Sequence, residues 1–231
     1  MTTESKKRKV ILTISDLHAP FHHPDAVKFL SELKKEYKPD SVVCLGDEVD
    51  QHTLSRYPVH PEAKSTLEEW SAAMEVLQQV FKLFPVGVCV ESNHSGRHIK
   101  KAASAGIPSN MLLTQHTLYN YPSKWKVKPS HLEQDILFIH GEGYLGIQGH
   151  RNAAVDFKHN VVIGHIHSNA GVAYVSTYCP RKQSNTLHFG ANAGCLIDTK
   201  SYAVEYGKFH RQKPCVGTIV IIDGEPVWKR L

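Results

Sequence analysis

No stretch of this 231-residue chain approaches the ~18 consecutive apolar residues that a membrane-spanning helix requires. The basic run Lys6, Lys7, Arg8 and Lys9 is not followed by the apolar core of a cleavable leader. The expectation is a protein with no membrane association, located in the cytoplasm. Cysteine is sparse: five residues, an odd number, with no Cys-x-x-Cys spacing, which argues against a disulfide framework and against a thiolate zinc knot. Cys44 and Cys89 sit inside apolar runs and read as reduced core residues. Internal repeats, low-complexity stretches and linkers rich in Gly, Ser or Pro are also lacking. One domain over residues 10–231 is therefore expected, after a flexible basic tail over 1–9. Lys+Arg number 27 and Asp+Glu 22, so the balance is 27 − 22 = +5. That surplus permits nucleic acid as a partner without forming the basic stripe of a dedicated binder. What the chain has in excess is histidine, 16 residues against 9 Tyr and 8 Phe. Such a chain must spread imidazoles over its surface or use some as ligands or proton carriers.

Periodicity gives the frame. A β-branched run over 10–14 predicts a strand, and Ala26, Leu30, Leu33 and Tyr37 at helical spacing predict a helix over 25–38, started by Pro24 and stopped by Pro39. A strand over 41–45, a helix over 62–84 and a strand over 86–90 repeat the unit. A helix is also expected over 97–105 and another over 148–158. The second half is strand-rich, with segments expected over 136–139, 161–163, 172–178, 186–189 and 216–222, the last turning at Asp223-Gly224 into a hairpin. This pattern predicts an α/β (α+β) fold, two packed mixed β-sheets flanked by helices. Residues 95–135 carry the weakest pattern and read as a possible mobile insertion.

The chemistry lies just past the strands: Asp16 and His18, Asp47 and Asp50, Asn93 and His94, His140, and His165 and His167. In open α/β sheets ligands bind in the crevice beyond the carboxyl ends of the strands. Singly, an Asp there is more often a cap or turn former. Jointly, five strand ends supply carboxylate, amide and imidazole donors, a mixture that suits Mn²⁺, Fe²⁺ or Zn²⁺ better than Mg²⁺ or Ca²⁺. Seven potential ligands are too many for one tetrahedral ion and suit two ions sharing a carboxylate. Two divalent ions, two carboxylates and a bridging hydroxide sum to about +1, a centre that attracts a phosphate oxyanion.

The ordered set Asp16-Leu17-His18, Gly46-Asp47-Glu48-Val49-Asp50, Asn93-His94, His140-Gly141 and Gly164-His165-Ile166-His167 resembles the calcineurin-like metallophosphoesterase superfamily, and the Asn192-Ala193-Gly194 turn is similar to that family's ending. The resemblance implies the family's four-layer sandwich. It implies a first metal on Asp16, His18, Asp47 and His167 and a second on Asp47, Asn93, His140 and His165, with Asp47 bridging. The ions would be two divalent metals, Mn²⁺ first, with Fe, Zn or Ni as alternatives, and a metal-bound hydroxide would attack phosphorus. His94 would serve the leaving group as general acid or charge stabiliser, oriented by Asp50. Asn93 would also contact substrate. Gln51, Glu91, Ser92 and Ser95 depart from the protein phosphatase branch, whose phosphate-clamping arginines are not evident; Arg97 is the nearest replacement. The small size and the Ser-Asn-His-Ser variant look most like members encoded by bacterial viruses, for which the location would be the host cytoplasm.

The expected activity is hydrolysis of a phosphodiester or terminal phosphate of nucleic acid. Lys100, Lys101, Lys124, Lys126 and Lys128, interleaved with Tyr119, Tyr121 and Trp125, are candidates for holding a single strand by charge and stacking, although the alternation over 124–128 fits the wet face of an ordinary strand better. The alternatives are a phosphomonoesterase acting on nucleotides or phosphoproteins, and a scaffold without turnover. His52 and His98 are further candidates for the crevice, with exposed loop positions the favoured reading.

Overall fold

The computed structural model describes residues 8–231 except 180, 182, 208 and 210, so most of the expected basic tail lies outside the described residues. In chain order the elements are β1 (Val10–Ile14), α1 (Ala26–Tyr37), β2 (Ser41–Cys44), α2 (Thr66–Leu83), β3 (Gly87–Val90), α3 (Arg97–Ser104), α4 (Gln115–Leu118), β4 (Trp125–Lys128), β5 (His131–Glu133), β6 (Ile136–Ile139), α5 (Gly149–Phe157), β7 (Asn160–Ile163), β8 (Gly171–Cys179), β9 (Ser184–Asn192), β10 (Gly217–Ile222) and β11 (Glu225–Arg230). They form one six-stranded sheet ordered β11-β10-β1-β2-β3-β4 and one five-stranded sheet ordered β5-β6-β7-β9-β8. Both are mixed: β1 to β4 run parallel with an antiparallel β10-β11 hairpin at one edge, and β6, β7 and β9 run parallel between antiparallel β5 and β8.

Strand alternation sorts the side chains into layers. Along β1, Val10, Leu12 and Ile14 meet the apolar faces of α1 and α2. Ile11 points the other way and joins Val43, Leu45, Ile219 and Ile221 against Ile136, Phe138, Val162, Phe189 and Ala191 of the second sheet. On that sheet's outer face Val161 and Ile163 pack on Ala153 and Ala154 of α5. The order helix, sheet, sheet, helix is the expected sandwich.

Two local signals refine the boundaries. α2 starts at Thr66, where Ser65 and Glu68 make a reciprocal capping box, and Leu67 in its first turn is 71% exposed. α1 ends at Lys38 in a left-handed conformation just before Pro39, which cannot continue a helix.

The expected insertion over 95–135 is corrected in its second half. β4 extends the first sheet in parallel with β3, and β5 pairs with β6 in the second. Tyr119, Tyr121 and Trp125 lie 1%, 6% and 2% exposed against α2, with Trp125 Nε1 donating to the Phe84 carbonyl at 2.8 Å. Each such aromatic buries roughly 150–250 Å², about 4–6 kcal/mol of apolar burial at ~25 cal/mol per Å². A base-stacking energy of about 1–3 kcal/mol does not draw these rings out. They are core residues, not a nucleic-acid platform; Lys126 lies on the wet side of an ordinary edge strand, and Lys124 is exposed in the turn before it.

Candidate metal centre

The strand ends deliver their polar residues in an unusual backbone state. Asp16, His18, Asp47 and His165 all have positive φ, 48°, 49°, 49° and 63°. Left-handed backbone costs roughly 1–2 kcal/mol at a residue with a Cβ, and such strain gathers at functional sites. Main-chain bonds hold it: His18 N–H donates to the Asp47 carbonyl at 2.8 Å, Asp16 N–H to the Gly46 carbonyl at 3.2 Å, and His165 N–H to the Asp16 carboxylate at 3.0 Å. Gly164 is required because a Cβ there would strike the Asp16 carboxylate.

The side chains converge in two groups. Asp16, His18 and His167 form one, with the His167 Nε2 to Asp16 Oδ1 distance 3.1 Å and the two Nε2 atoms 3.2 Å apart. Asp47, His140 and His165 form the other, with Asn93 Oδ1 2.7 Å and His165 Nδ1 3.1 Å from His140 Nε2. Asp47 Oδ2 lies between them, 3.7 Å from His18 Nε2 and 3.3 Å from His140 Nε2. The tautomers follow from the remaining ring nitrogens. His18 Nδ1 donates to Asp50 Oδ2 at 2.8 Å and His140 Nδ1 to the Leu45 carbonyl at 2.9 Å. With those protons placed, each Nε2 carries a lone pair aimed at other acceptors. Acceptors facing acceptors in a buried site call for a cation, and imidazole with carboxylate suits divalent transition ions. All seven candidate ligands are thus brought together, in a donor set that fits two ions.

Electrostatics agree. Burial opposes charge on His18, but the adjacent Asp16 carboxylate, the hydrogen bond to Asp50 and the nearby Asp47 charge push it up to about 10; against the same burial, Asp47 and Asp16 raise His140 to about 9. Burial likewise opposes ionisation of Asp16 and Asp47. It is outweighed for Asp16 by the hydrogen bond from His167 and the adjacent His18, and for Asp47 by the charges of His140 and His94, so both are held below the usual carboxylate range. The site draws positive charge, and protons hold the places that metal ions would take.

A model of the family described as calcineurin-like phosphoesterase matches residues 9–193. The chain belongs to that family. The two mixed sheets flanked by helices are its fold, the family binds divalent metals, and the two donor groups are the candidate ligands for them. No curated protein sequence matches the chain. Among solved structures, the phosphoesterase Yfce from E. coli is 13% identical with a TM-score of 0.45 over 94% of this chain and 96% of that one. Vacuolar Protein Sorting 29 from Cryptosporidium parvum is 13% identical with a TM-score of 0.45 over 97% of each chain. The zinc complex of wild-type Vps29 from Entamoeba histolytica is 13% identical with a TM-score of 0.41, covering 96% and 98%.

In this calcineurin-like phosphoesterase the groups beside the donors are arranged differently from expectation. The Asp50 carboxylate serves His18 rather than His94, whose Nδ1 is 3.6 Å from it; His94 Nδ1 instead donates to the Asp50 main-chain carbonyl at 2.9 Å. Arg97 places Nη1 3.0 Å from that carbonyl and 3.3 Å from Asp50 Oδ1, and Nη2 donates to His94 Nε2 at 3.0 Å. Burial lowers His94 to about 4 despite the Asp47 charge, with His18 and Arg97 adding to the lowering. His94 is therefore a neutral ring backed by a permanent guanidinium. His52 and His98 do not line the crevice: His52 edges Tyr202, and His98 packs against Tyr119 with its Nδ1 near Gln51.

Asp47, His94, His165 and His167 line the floor of an open cleft of about 1530 Å³. Its far wall, built from residues within 199–205 and 211–216, brings Lys200, Tyr202, Arg211 and Lys213 to the cleft. Across the mouth His60 stacks on Tyr202 at 5.1 Å and meets Glu205 Oε2 at 3.0 Å. These residues follow the last motif and carry no periodicity, so no sequence signal marks them. A third donor group, Cys44, Glu48 and Cys89, lies beneath the floor, but both Glu48 oxygens are already taken, by Ser95 at 2.7 Å and Gln115 at 2.8 Å.

Proposed function

We propose that the chain is a two-metal phosphodiesterase acting on nucleic acid. The carrying observation is the Asp47 carboxylate set between two imidazole-carboxylate groups whose lone pairs converge. Asp16, His18, Asp47 and His167 would hold one divalent ion and Asp47, Asn93, His140 and His165 the other, Mn²⁺ being the first choice. Bound there, the ions would supply Lewis-acid stabilisation of phosphoryl oxygens and acidify water to a nucleophile at neutral pH. The chain's own residues do the rest. Asp50 orients His18 through its carboxylate and His94 through its carbonyl, while Arg97 keeps a positive charge beside His94, where a leaving oxygen develops charge. The cleft exceeds the roughly 300–1,000 Å³ of small-molecule sites, and Lys200 and Arg211 on its wall favour an extended anionic substrate. Such a substrate agrees with a cytoplasmic site of action, and the Ser92–Ser95 variant with kinship to enzymes encoded by bacterial viruses.

The test is Mn²⁺-loaded protein assayed on single-stranded DNA, an aryl phosphodiester and the matched aryl monoester, with Asp47→Asn as the control. Cleavage of DNA and diester above the control, with the monoester slower, is expected. A faster monoester identifies a phosphomonoesterase instead, and metal binding without turnover on any substrate identifies a scaffold.

A further inference from the structure

Glu48 is 3% exposed and, among the described residues, no lysine, arginine or histidine lies within salt-bridge distance of it. A buried acid without a cation is costly unless its oxygens are hydrogen-bonded. They are, and the bonds lead in one direction. Asp47 N–H donates to Ser92 Oγ at 2.7 Å, Ser92 Oγ to Ser95 Oγ at 3.0 Å, and Ser95 Oγ to Glu48 Oε2 at 2.7 Å. Gln115 Nε2 donates to Glu48 Oε1 at 2.8 Å, and Tyr119 Oη reaches the Ser95 carbonyl at 3.3 Å. Gly46, at φ +90°, leaves the space Ser92 occupies, since a Cβ there would sit 2.9 Å from its hydroxyl. The chain thus runs from Asp47, through both residues that bracket Asn93-His94, to an acceptor anchored on α4.

We propose that Glu48 is a positioning residue that fixes the spacing between Asp47 and Asn93 through the Ser92–Ser95 hydroxyl chain, and so sets the metal site they share with His140 and His165. Asp47 and Asn93 come from different strand ends, after β2 and after β3, and these hydroxyls link the two loops side chain to main chain. A residue needed only for packing would serve as well as leucine; an acceptor is needed because Ser95 and Gln115 both donate toward it. Residues that orient ligands in this way typically govern metal affinity by about 10–100-fold. The inference rests on the reading that the donor set holds two divalent ions.

The experiment is Mn²⁺ titration by calorimetry on the full chain, without substrate, comparing wild type with Ser95→Ala, Glu48→Leu, their double variant and Glu48→Gln. Asn93→Ala identifies which of the two binding events belongs to the Asn93 site. At that event Ser95→Ala and Glu48→Leu are expected to lose about tenfold or more, with the other event changed by less than about threefold. The double variant is expected to be no weaker than the worse single, because both cut the same chain. Glu48→Gln, which keeps one acceptor oxygen and the shape, recovers part of the loss. Unchanged affinity, equal losses at both events or simple additivity overturns the proposal. If Glu48→Leu fails to fold, Ser95→Ala and Glu48→Gln decide on the same criteria. A wild type that binds Mn²⁺ normally beside unaffected variants sinks this proposal alone, whereas a wild type that binds no metal sinks it together with the two-metal reading.

Discussion

At and just beneath the floor of the cleft Asp16, His18, Asp47 and His140 are almost wholly buried, held at positive φ or by main-chain bonds, and crowded so closely that their ionisation is displaced. On the wall Lys200, Arg211 and Lys213 are exposed and sit in loop that follows the last strand-end motif. The contrast separates two jobs. Chemistry needs donors fixed to a few tenths of an ångström, which only rigid strand ends with supporting bonds deliver. Substrate selection needs reach along an extended ligand, which exposed loop charge supplies with little preorganisation. Changes to the floor should therefore abolish function or redraw its pH behaviour, and changes to the wall should shift affinity only.

The largest effect is expected at Asp47, whose Oδ2 lies within 4 Å of an imidazole of each donor group, 3.7 Å from His18 Nε2 and 3.3 Å from His140 Nε2. Asp47→Asn keeps the shape but removes the charge between the two sites. Turnover of the aryl diester should fall about 10³-fold or more, and Mn²⁺ titration should show at most one ion retained. A variant that keeps two ions and more than a tenth of its activity would erase the distinction between floor and wall.

Next comes the pH profile of stability in the metal-free protein. His18 and His140 are raised to about 10 and about 9, above the ordinary 6.5 of imidazole. Their stabilising charge is thus fully present below pH 6.5 and is lost as pH rises through 9 and 10. His94 is lowered to about 4 and His165 is also lowered by burial, so the fold resists their protonation and loses stability as pH falls below 6.5. Asp16 and Asp47, held below the usual carboxylate range, add to the loss at lower pH as they protonate. Scanning calorimetry with chelator should show a melting temperature that peaks near pH 6.5. With Mn²⁺ the alkaline decline should disappear, because metal binding releases the protons of His18 and His140. Identical profiles with and without metal would mean that these histidines are not where ions bind.

The same contrast explains what the sequence made legible. The strand-end donors were readable because a buried β-branched run makes the polar residue that ends it conspicuous, and five such ends name one crevice. The two packed sheets flanked by helices followed from the alternation of strand and helix, and the four-layer order from the family resemblance. Glu48 was hidden in plain view: beside Asp47 it reads as one more surface acid, and only the fold shows that it turns inward toward Ser95 and Gln115. The role of Asp50 divided between carboxylate and carbonyl for the same reason, since main-chain acceptors carry no side-chain signature. Tyr119, Tyr121 and Trp125 misled because lysine-aromatic alternation is common to a nucleic-acid face and an edge strand, and burial alone separates them. The wall was unreadable because exposed loop residues obey no periodicity.

The smallest effect is expected on the wall, at Arg211. Arg211 lines the cleft, and among the described residues no hydrogen bond or ion pair joins it to a donor, so Arg211→Ala should leave kcat on the aryl diester within about twofold. A phosphate contact on a single strand adds about 0.7 to the slope of log affinity against log salt, so the variant's affinity for single-stranded DNA should fall severalfold at low salt, with a slope shallower by about that amount. The discriminating measurement is the pair of salt series on a catalytically silent background such as Asp47→Asn, where binding is read without cleavage. An unchanged slope would place the nucleic-acid path elsewhere than along the wall that carries Lys200 and Arg211. A fall in kcat on the small diester would show instead that the wall belongs to the chemistry of the floor.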